Sequence, residues 1–281
     1  MGTRIIFSRR CLEYGVPYHP ENSVRIEEAY EVLRDCGYEF MEPEPAEEDT
    51  LLRVHSKEYL EGLKDGRIED PDTPAYEGIY EYARTAAGGA IVAAENNGFS
   101  LMRPPGHHTG RNGPALGAST RGFCYLNNIA IAVRHLGKPT LILDIDGHHG
   151  NGTQEIFHND DGIVYVSLHR QFIYPGTGKR STGNNLNYPL IGDCGQEIYL
   201  RTLDEALREA NKHDFEYVAV SAGFDSHSGD LASLGLTEET YYEIGERIAS
   251  LERPTFFVLE GGYSGKQLGA DIDSLLRGFK I

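Results

Sequence analysis

The chain has 281 residues, of which 40% are hydrophobic, and this is enough for one large α/β domain or two small ones with a sizeable core. It carries 43 acidic and 26 basic side chains, and the resulting net charge of −17 repels nucleic-acid backbones and attracts cations. No segment approaches the roughly 18 consecutive apolar residues of a membrane helix, and the first apolar run is too short for a signal peptide, so we expect a cytoplasmic protein without nucleic-acid or membrane partners.

The excess of acidic side chains has two interpretations. It either serves only to keep the protein soluble, or it steers cationic substrates such as lysine tails or polyamines toward the protein. The four cysteines are widely spaced and form no CxxC pair, so the sequence predicts neither a disulfide framework nor a cysteine-based zinc site.

Short apolar runs alternate with longer amphipathic segments along the chain. The predicted strands, in order, are residues 4–7, 99–102, 139–145, 162–168, 217–222 and 255–260. The predicted helices are residues 24–36, 56–64, 76–96, 124–136, 196–212, 238–251 and 264–279, with Asn22 or Ser23, Ser56 and Thr237 as N-caps. Continuously apolar strands that alternate with helices indicate a mostly parallel sheet covered on both faces. Since no repeat or linker interrupts the pattern, we expect one domain spanning residues 1–281.

Polar side chains cluster where four of the predicted strands end. They occupy residues 144–149, 167–169, 221–227 and 260–263. In open parallel α/β sheets, ligands bind beyond the carboxyl ends of the strands. We therefore expect the functional site at this edge of the sheet.

The segment LILDIDGHHGNG (141–152) has two aspartates and a histidine at alternate positions. Because side chains alternate along an extended chain, Asp144, Asp146 and His148 are expected to point in the same direction, where carboxylate and imidazole suit a divalent metal. Asp225, which follows another apolar run, is the best candidate for a ligand from a second strand. Three protein ligands would leave a position for water, as is typical of catalytic zinc sites.

The segment RPPGHHTG (103–110) presents two histidines on a loop that two prolines and a glycine stiffen. Water activated by a metal needs a base to take its proton and an acid to protonate a leaving amine. His107 and His108 can divide these roles if their neighbours separate their pKa values, and Asp144 is a candidate partner for one and Asn151 for the other. Which of the two is the acid stays open.

Other residues at the strand ends have less specific assignments. Asp144 lies deeper in its strand, so it could orient a histidine or join a monovalent-cation site instead of binding the divalent metal. His149 faces away from the alternating set and is interpreted as a structural histidine. Gly261 and Gly262 allow the backbone to approach a ligand, and Tyr263 could donate a hydrogen bond to a developing oxyanion.

Together these segments resemble the histone deacetylase family, including acetylpolyamine amidohydrolases and prokaryotic deacetylase-like proteins. The resemblance runs in family order over nearly the whole chain. It is carried by HPENSVRI (19–26), VHSKEYL (54–60), DTPAYEGIYEYARTAAGGA (72–90), RPPGHH (103–108), GFCYLNNIAIA (122–132), LDIDGHHGNGTQEIF (143–157), VSLH (166–169), YPGTG (174–178), SAGFDSHSGD (221–230) and LEGGY (259–263).

The resemblance implies the three-layer arginase/deacetylase fold, with a central, mostly parallel sheet of about eight strands flanked by helices. It implies metal-dependent hydrolysis that releases acetate or another short acyl group from a small acylated amine or acetyl-lysine. The zinc ligands would be Asp146, His148 and Asp225; the catalytic residues His107, His108, Asp144, Asn151 and Tyr263; the substrate-binding residues Asp72, Gly122, Phe123, Tyr174 and Gly261; and a potassium site would involve Asp144, Asp146, His148, Ser167 and Leu168. Fe²⁺ or Co²⁺ would suit the same ligands as Zn²⁺, and the sequence is silent on the oligomeric state.

Some positions depart from the family pattern. Asn151 replaces the aspartate of one branch, which favours the class II and polyamine-type branch. Gly147 stands where a bulkier residue is common, and loop 109–121 matches no pattern closely. At the site where polyamine-selective relatives carry an acidic gatekeeper, this chain has Leu231 or Ala232, which disfavours a dedicated polyamine enzyme.

Two other functions remain open at this point. An arginase or agmatinase has a related fold with two manganese ions, but it typically needs a carboxylate at the position of Gly150. A catalytically silent binder of acyl ligands would need the pocket, but it would not need Tyr263 together with both histidines.

Overall fold

The computed structural model describes residues 3–280, and its centre is an eight-stranded sheet. All neighbouring strands in it run parallel, in the order β2-β1-β3-β10-β9-β6-β7-β8. The strands are β1 (Ile5–Ile6), β2 (Phe40–Met41), β3 (Phe99–Ser100), β6 (Thr140–Asp144), β7 (Ile163–Arg170), β8 (Asn185–Leu190), β9 (Tyr217–Ala222) and β10 (Thr255–Leu259), and β4 (Thr109–Gly110) pairs with β5 (Gly113–Pro114) in a separate hairpin. The predicted parallel sheet is confirmed.

Helices cover both faces of the sheet, so the molecule has three layers. Their bounds are α1 (Ser23–Asp35), α2 (Glu48–Leu51), α3 (Lys57–Lys64), α4 (Ile79–Asn96), α5 (Asn128–Leu136), α6 (Asn151–Phe157), α7 (Gln196–Ala210), α8 (Glu238–Ala249) and α9 (Gly265–Phe279). Asn22 and Ser56 cap α1 and α3 through their side chains, and α8 begins after Thr237, so these predicted N-caps are confirmed.

Two apolar clusters lie on opposite faces of the sheet. One packs α1, α7, α8 and α9 against strand side chains such as Leu143 and Val220, and the other packs α3, α4 and α5 against side chains such as Ile142 and Ala219. Adjacent residues of one strand therefore enter opposite clusters, because side chains alternate across a pleated strand. Among residues 3–280, no helix is both long and apolar enough to cross a membrane.

The sequence failed to predict the two outermost strands, β2 and β8. Both are edge strands, and β8 (NLNYPL) contains two asparagines and Pro189, which removes a backbone donor. The short helices α2 and α6 were also missed. Helix α5 begins at Asn128, not at residue 124, because the side chain of Asn127 accepts from the Ala130 N–H and caps the helix there.

Candidate metal centre and active site

The predicted functional residues lie at the carboxyl edge of the sheet. Asp144 is the last residue of β6, and the loop that follows it carries Asp146 and His148. Strand β9 lies beside β6 and is followed by Asp225, and β10 lies beside β9 and is followed by the segment that contains Tyr263. Three adjacent parallel strands thus end at the same place, which is why Asp146 and Gly261, 115 residues apart in sequence, meet there.

Asp146, His148 and Asp225 form a cluster with the spacing of a metal site. One donor atom from each lies within 4.8 Å of the other two. Nδ1 of His148 is 2.7 Å from Oδ2 of Asp225 and 3.3 Å from Oδ1 of Asp146. Both carboxylates are buried, and backbone N–H groups hold their outer oxygens: Gly261 donates to Asp146 and Gly147 to Asp225, each at 2.8 Å.

This cluster fits a divalent cation. Oδ2 of Asp225 is buried, and among residues 3–280 no donor meets it with hydrogen-bond geometry, although Nδ1 of His148 is 2.7 Å away. Burial, together with the neighbouring charge of Asp146, raises the pKa of Asp225 to about 6. Two buried carboxylates beside one imidazole need a positive charge between them, and oxygen and nitrogen donors in this number suit zinc, iron or cobalt.

The two histidines of the 103–110 loop have different partners, as the sequence predicted. Nδ1 of His107 is 3.1 Å from Oδ2 of Asp144, whereas Nδ1 of His108 is 2.8 Å from Oδ1 of Asn151. The amide nitrogen of Asn151 donates to the carbonyl of Ala115 at 2.8 Å, so its oxygen is the atom that faces His108. His108 therefore carries its proton on Nδ1 and leaves Nε2 free to accept one.

The partners separate the pKa values of these histidines. Burial alone would lower the pKa of His107, but the charges of Asp144 and Asp146 outweigh it and raise the pKa to about 10. Burial and the adjacent His107 charge lower the pKa of His108 well below its usual 6.5. The two rings are 4.0 Å apart, so one imidazolium lies beside one neutral imidazole.

Buried charges that the sequence analysis missed hold the histidine loop in place. Nη2 of Arg103 is 2.8 Å from Oε2 of Glu21, and both residues are buried. The carboxylate of Glu260 accepts from the backbone N–H groups of Gly106 at 2.7 Å and His107 at 3.1 Å. The available signal was a charged residue inside an apolar context, since Arg103 follows Leu101 and Met102, and Glu260 follows β10.

The Tyr263 segment is held from two sides. Arg25, also missed, donates to the carbonyls of Glu260 at 3.1 Å and Gly262 at 3.0 Å. The carboxylate of Asp230 accepts from the Tyr263 N–H at 2.9 Å. Gly262 has φ +114°, a conformation that side-chain-bearing residues rarely adopt. Desolvation and the charge of Asp225 raise the pKa of Tyr263 well above 10, so its phenol keeps the proton.

Aromatic rings surround the approach to these residues. The ring of Tyr174 lies 4.9 Å from that of His108, and the ring of Phe123 lies 6.0 Å from that of Tyr263. Gly122, at φ +52°, lies against the rings of His108 and Tyr174. It can do so only because it lacks a Cβ, which would lie 2.5 Å from Cδ2 of His108 and 2.8 Å from Cε1 of Tyr174. Three of the predicted substrate-binding residues, Gly122, Phe123 and Tyr174, therefore lie beside the histidines and Tyr263.

Asp72 and Gly261 were predicted to bind substrate, and the structure gives each a partner within the protein. The half-buried carboxylate of Asp72 accepts from the hydroxyls of Thr73 at 2.8 Å and Thr120 at 2.6 Å. Asp72 thus ties down the loop that leads into Gly122. Gly261 directs its N–H to Asp146, as described above, so its position supports the metal cluster.

The structure also accounts for several of the less specific residues. His149 is buried, and its two nitrogens contact Thr177 Oγ1 at 2.8 Å and Gln154 Oε1 at 2.9 Å, as a structural histidine should. Ser167, of the predicted potassium set, lies opposite Asp144 in the β6–β7 register, and Leu168 follows it within β7, which extends past the predicted end at 168.

Two glycines near the metal cluster leave no room for larger residues. A Cβ on Gly147 would lie 2.4 Å from that of Ala232, so buried Ala232 occupies the space, whereas Leu231 is exposed at the surface. A Cβ on Gly150 would lie 2.2 Å from Oδ2 of Asp144. This backbone therefore has no space for the carboxylate that a two-manganese ureohydrolase needs at that position.

Comparisons with known proteins give matches over most of the chain. The family model described as "Histone deacetylase domain" matches residues 19–279. A "Probable deacetylase" from Archaeoglobus fulgidus is 39% identical over 94% of this chain and 82% of its own length. "Acetylpolyamine amidohydrolase 1" from Pseudomonas aeruginosa is 33% identical over 75% of this chain and 65% of its own.

A solved structure has the same fold. The crystal structure of the HDA15 HD domain superimposes with a TM-score of 0.88 at 30% identity, covering 98% of this chain and 88% of that one. The fold is therefore the three-layer arginase/deacetylase fold, and the relatives support amide deacetylase activity.

Proposed function

This chain belongs to the histone deacetylase family, and from that premise we propose that it is a zinc-dependent amidohydrolase. It removes acetyl, or another short acyl group, from an amine such as acetyl-lysine or an acetylpolyamine, and residues 1–281 form its one catalytic domain. The observation that carries this proposal is that Asp146, His148 and Asp225 have the spacing of a metal site. Beside them lie His107, whose pKa is raised, and His108, whose pKa is lowered.

Asp146, His148 and Asp225 would hold the zinc ion, and Fe²⁺ or Co²⁺ would suit the same three donors. When bound, the ion supplies Lewis-acid activation of a water molecule and of the acyl carbonyl. A potassium ion is proposed to bind nearby. Its environment would be formed by Asp144, Ser167 and Leu168 and by the backbone of Asp146 and His148. The pairing of Asp144 with Ser167 across β6 and β7 supports that second assignment.

His108 is the proposed general base. Its Nδ1 proton is directed at Asn151, so Nε2 is free to take a proton from the attacking water, and its lowered pKa keeps it neutral before the reaction. His107 is expected to keep its proton throughout, because the charges of the buried carboxylates of Asp144 and Asp146 favour its protonated form. His108 then returns the proton to the departing amine.

Tyr263 is proposed to stabilise the oxyanion. A phenol whose pKa is raised remains a hydrogen-bond donor, and its segment is fixed by Arg25 and Asp230. The rings of Phe123 and Tyr174 would contact the uncharged alkyl stem of the substrate and exclude water from it. Gly122 gives the stem room to reach the histidines.

A substrate panel on zinc-reconstituted protein tests the proposal. Acetate release is measured from an acetyl-lysine peptide, from an acetylpolyamine and from a small acylated amine, each with and without a hydroxamate that binds zinc. Release that the hydroxamate suppresses is the expected result. No release from any compound, by protein shown to contain zinc, would contradict the proposal and favour a catalytically silent binder.

A further inference from the structure

The loop that follows β7 lines a cavity of about 520 Å³. It is lined by residues 169–177, Lys179, Arg180 and Pro189. His149, which follows the proposed metal ligand His148, also lines it. Tyr174 is a wall of this cavity and also packs against His108. The cavity therefore shares one side chain with the candidate active site.

Three cationic residues line this cavity, in a protein with a net charge of −17. They are Arg170, Lys179 and Arg180. No carboxylate of residues 3–280 lies within 4.0 Å of their charged atoms, although 14 other lysines and arginines of this chain do have such a partner. Grouped like charges without counter-charges repel each other, so an anion between them would be bound favourably.

The guanidinium of Arg170 is held in a fixed position with donors to spare. It packs flat on the backbone of Gly192, where a Cβ would lie 2.6 Å from its Nε. Within residues 3–280, its one hydrogen bond is a long contact of 3.4 Å from Nη1 to the carbonyl of Ser233. A guanidinium has five N–H donors, and a fixed one suits a carboxylate or a phosphate, which can accept two of them.

Phe172 is an exposed apolar residue that lines the cavity. Its side chain is 91% exposed, and its backbone has φ +65°, a conformation that is uncommon for a bulky residue. A strained backbone that presents an aromatic ring to solvent points to a ligand contact. Ile173 and Pro175 line the same cavity, so the site combines apolar surface with positive charge.

We infer that this cavity binds a carboxylate or phosphate group carried by the acylated amine itself, so that the substrate is an acidic acylated amine such as a free acyl-amino acid. The inference rests on the proposed function. A substrate that places its acyl amide near His108 lies against Tyr174. An acidic group at the other end of that substrate would extend past the Tyr174 ring and enter the cavity. A polyamine has no such group, and the three cations would repel it.

The test compares two compounds that differ only in that charge. Nε-acetyl-lysine has a carboxylate where Nε-acetyl-lysinamide has a neutral carboxamide. With zinc-loaded full-length protein we expect kcat/KM for the acid to be at least about threefold higher, mainly through KM. The triple variant Arg170→Gln/Lys179→Gln/Arg180→Gln should lose this preference. The control Arg53→Gln/Arg201→Gln/Arg208→Gln removes the same charge from exposed positions outside the cavity and should keep it.

Each alternative outcome is decisive. Equal kcat/KM for both compounds, or a preference that survives in Arg170→Gln/Lys179→Gln/Arg180→Gln, overturns the inference and leaves the proposed function intact. No turnover of either compound also overturns it, and an acetylated peptide or acetylpolyamine then decides whether the proposed function falls too. Inorganic phosphate, added as a competing anion, gives a second test. If phosphate raises KM for the acid but not for the amide, the inference is supported. If phosphate inhibits turnover of both compounds equally, the inference is contradicted.

Discussion

The amide oxygen of Asn151 lies 2.8 Å from Nδ1 of His108, so this buried histidine has an uncharged partner. The adjacent His107 instead contacts the carboxylate of Asp144 at 3.1 Å. One difference between amide and carboxylate thus lets two neighbouring rings keep different protonation states. The different roles proposed for the two histidines therefore depend on an uncharged side chain at position 151.

Replacing Asn151 with aspartate is expected to move the acid limb of the pH–rate profile to higher pH. A carboxylate beside His108 favours its imidazolium form and raises its pKa, by about 1 to 3 units for a close opposite charge. The base works only when unprotonated, so a raised pKa means that activity is lost at a higher pH as the solution is acidified. The measurement is kcat/KM across about pH 5 to 9.

The control for this variant is Asn96→Asp, which adds the same charge at the exposed end of α4. Its acid limb should coincide with that of the wild type. An unchanged acid limb in a folded Asn151→Asp protein would argue against His108 as the base.

Tyr263→Phe should retain zinc and substrate binding but lose most turnover. The variant removes only the phenolic oxygen, and deleting one oxyanion donor lowers kcat by about 10² to 10³ in comparable sites. Because the raised pKa of Tyr263 keeps its proton in place, this loss should be independent of pH across the neutral range. Steady-state kinetics and metal analysis measure it, with exposed Tyr18→Phe as the matched control. A wild-type kcat would remove Tyr263 from the chemistry.

Chelation should abolish activity and lower the melting temperature, and one equivalent of Zn²⁺ per chain should restore both. Without a cation the buried carboxylates of Asp146 and Asp225 repel each other, and an ion that binds only the folded chain stabilises it by mass action. Asp225→Asn should bind zinc weakly, whereas exposed Asp161→Asn should behave as wild type. Two ions per chain would instead favour a two-metal enzyme.

The sequence predicted the sheet and the location of the site because both follow from local patterns. Apolar runs such as 217–222 end in polar residues, and parallel strands bring such ends together. The sequence also predicted Asp144 and Asn151 as partners of the two histidines, and the structure pairs Asp144 with His107 and Asn151 with His108. The catalytic roles remain predictions.

What could not be predicted depends on contacts between distant segments. Arg103 and Glu21 are 82 positions apart, and nothing in either segment alone requires the two to be buried together. Gly147 looked like a departure from the family pattern, yet Ala232 fills the space beside it. The two edge strands were missed because they are short or polar and have a partner on only one side. In each case the deciding partner is set by tertiary packing.

Gly122→Ala is expected to reduce both activity and stability, and a second glycine separates the two causes. At Gly122 an added methyl group would lie 2.5 Å from Cδ2 of His108 and 2.8 Å from Cε1 of Tyr174, and φ is +52°. Overpacking costs about 1 to 3 kcal/mol, and an alanine in the left-handed region adds about 1 to 2 kcal/mol.

Gly117 has φ +82° but no atom within 4 Å of an added Cβ, so Gly117→Ala introduces the backbone strain without the steric clash. Urea unfolding should show that Gly117→Ala loses only the smaller, conformational part. Its kcat/KM should stay near wild type, while that of Gly122→Ala should fall at least about tenfold, since the methyl group displaces the proposed base. Equal kcat/KM for the two variants would mean that Gly122 serves the backbone alone and that the substrate does not pass between His108 and Tyr174.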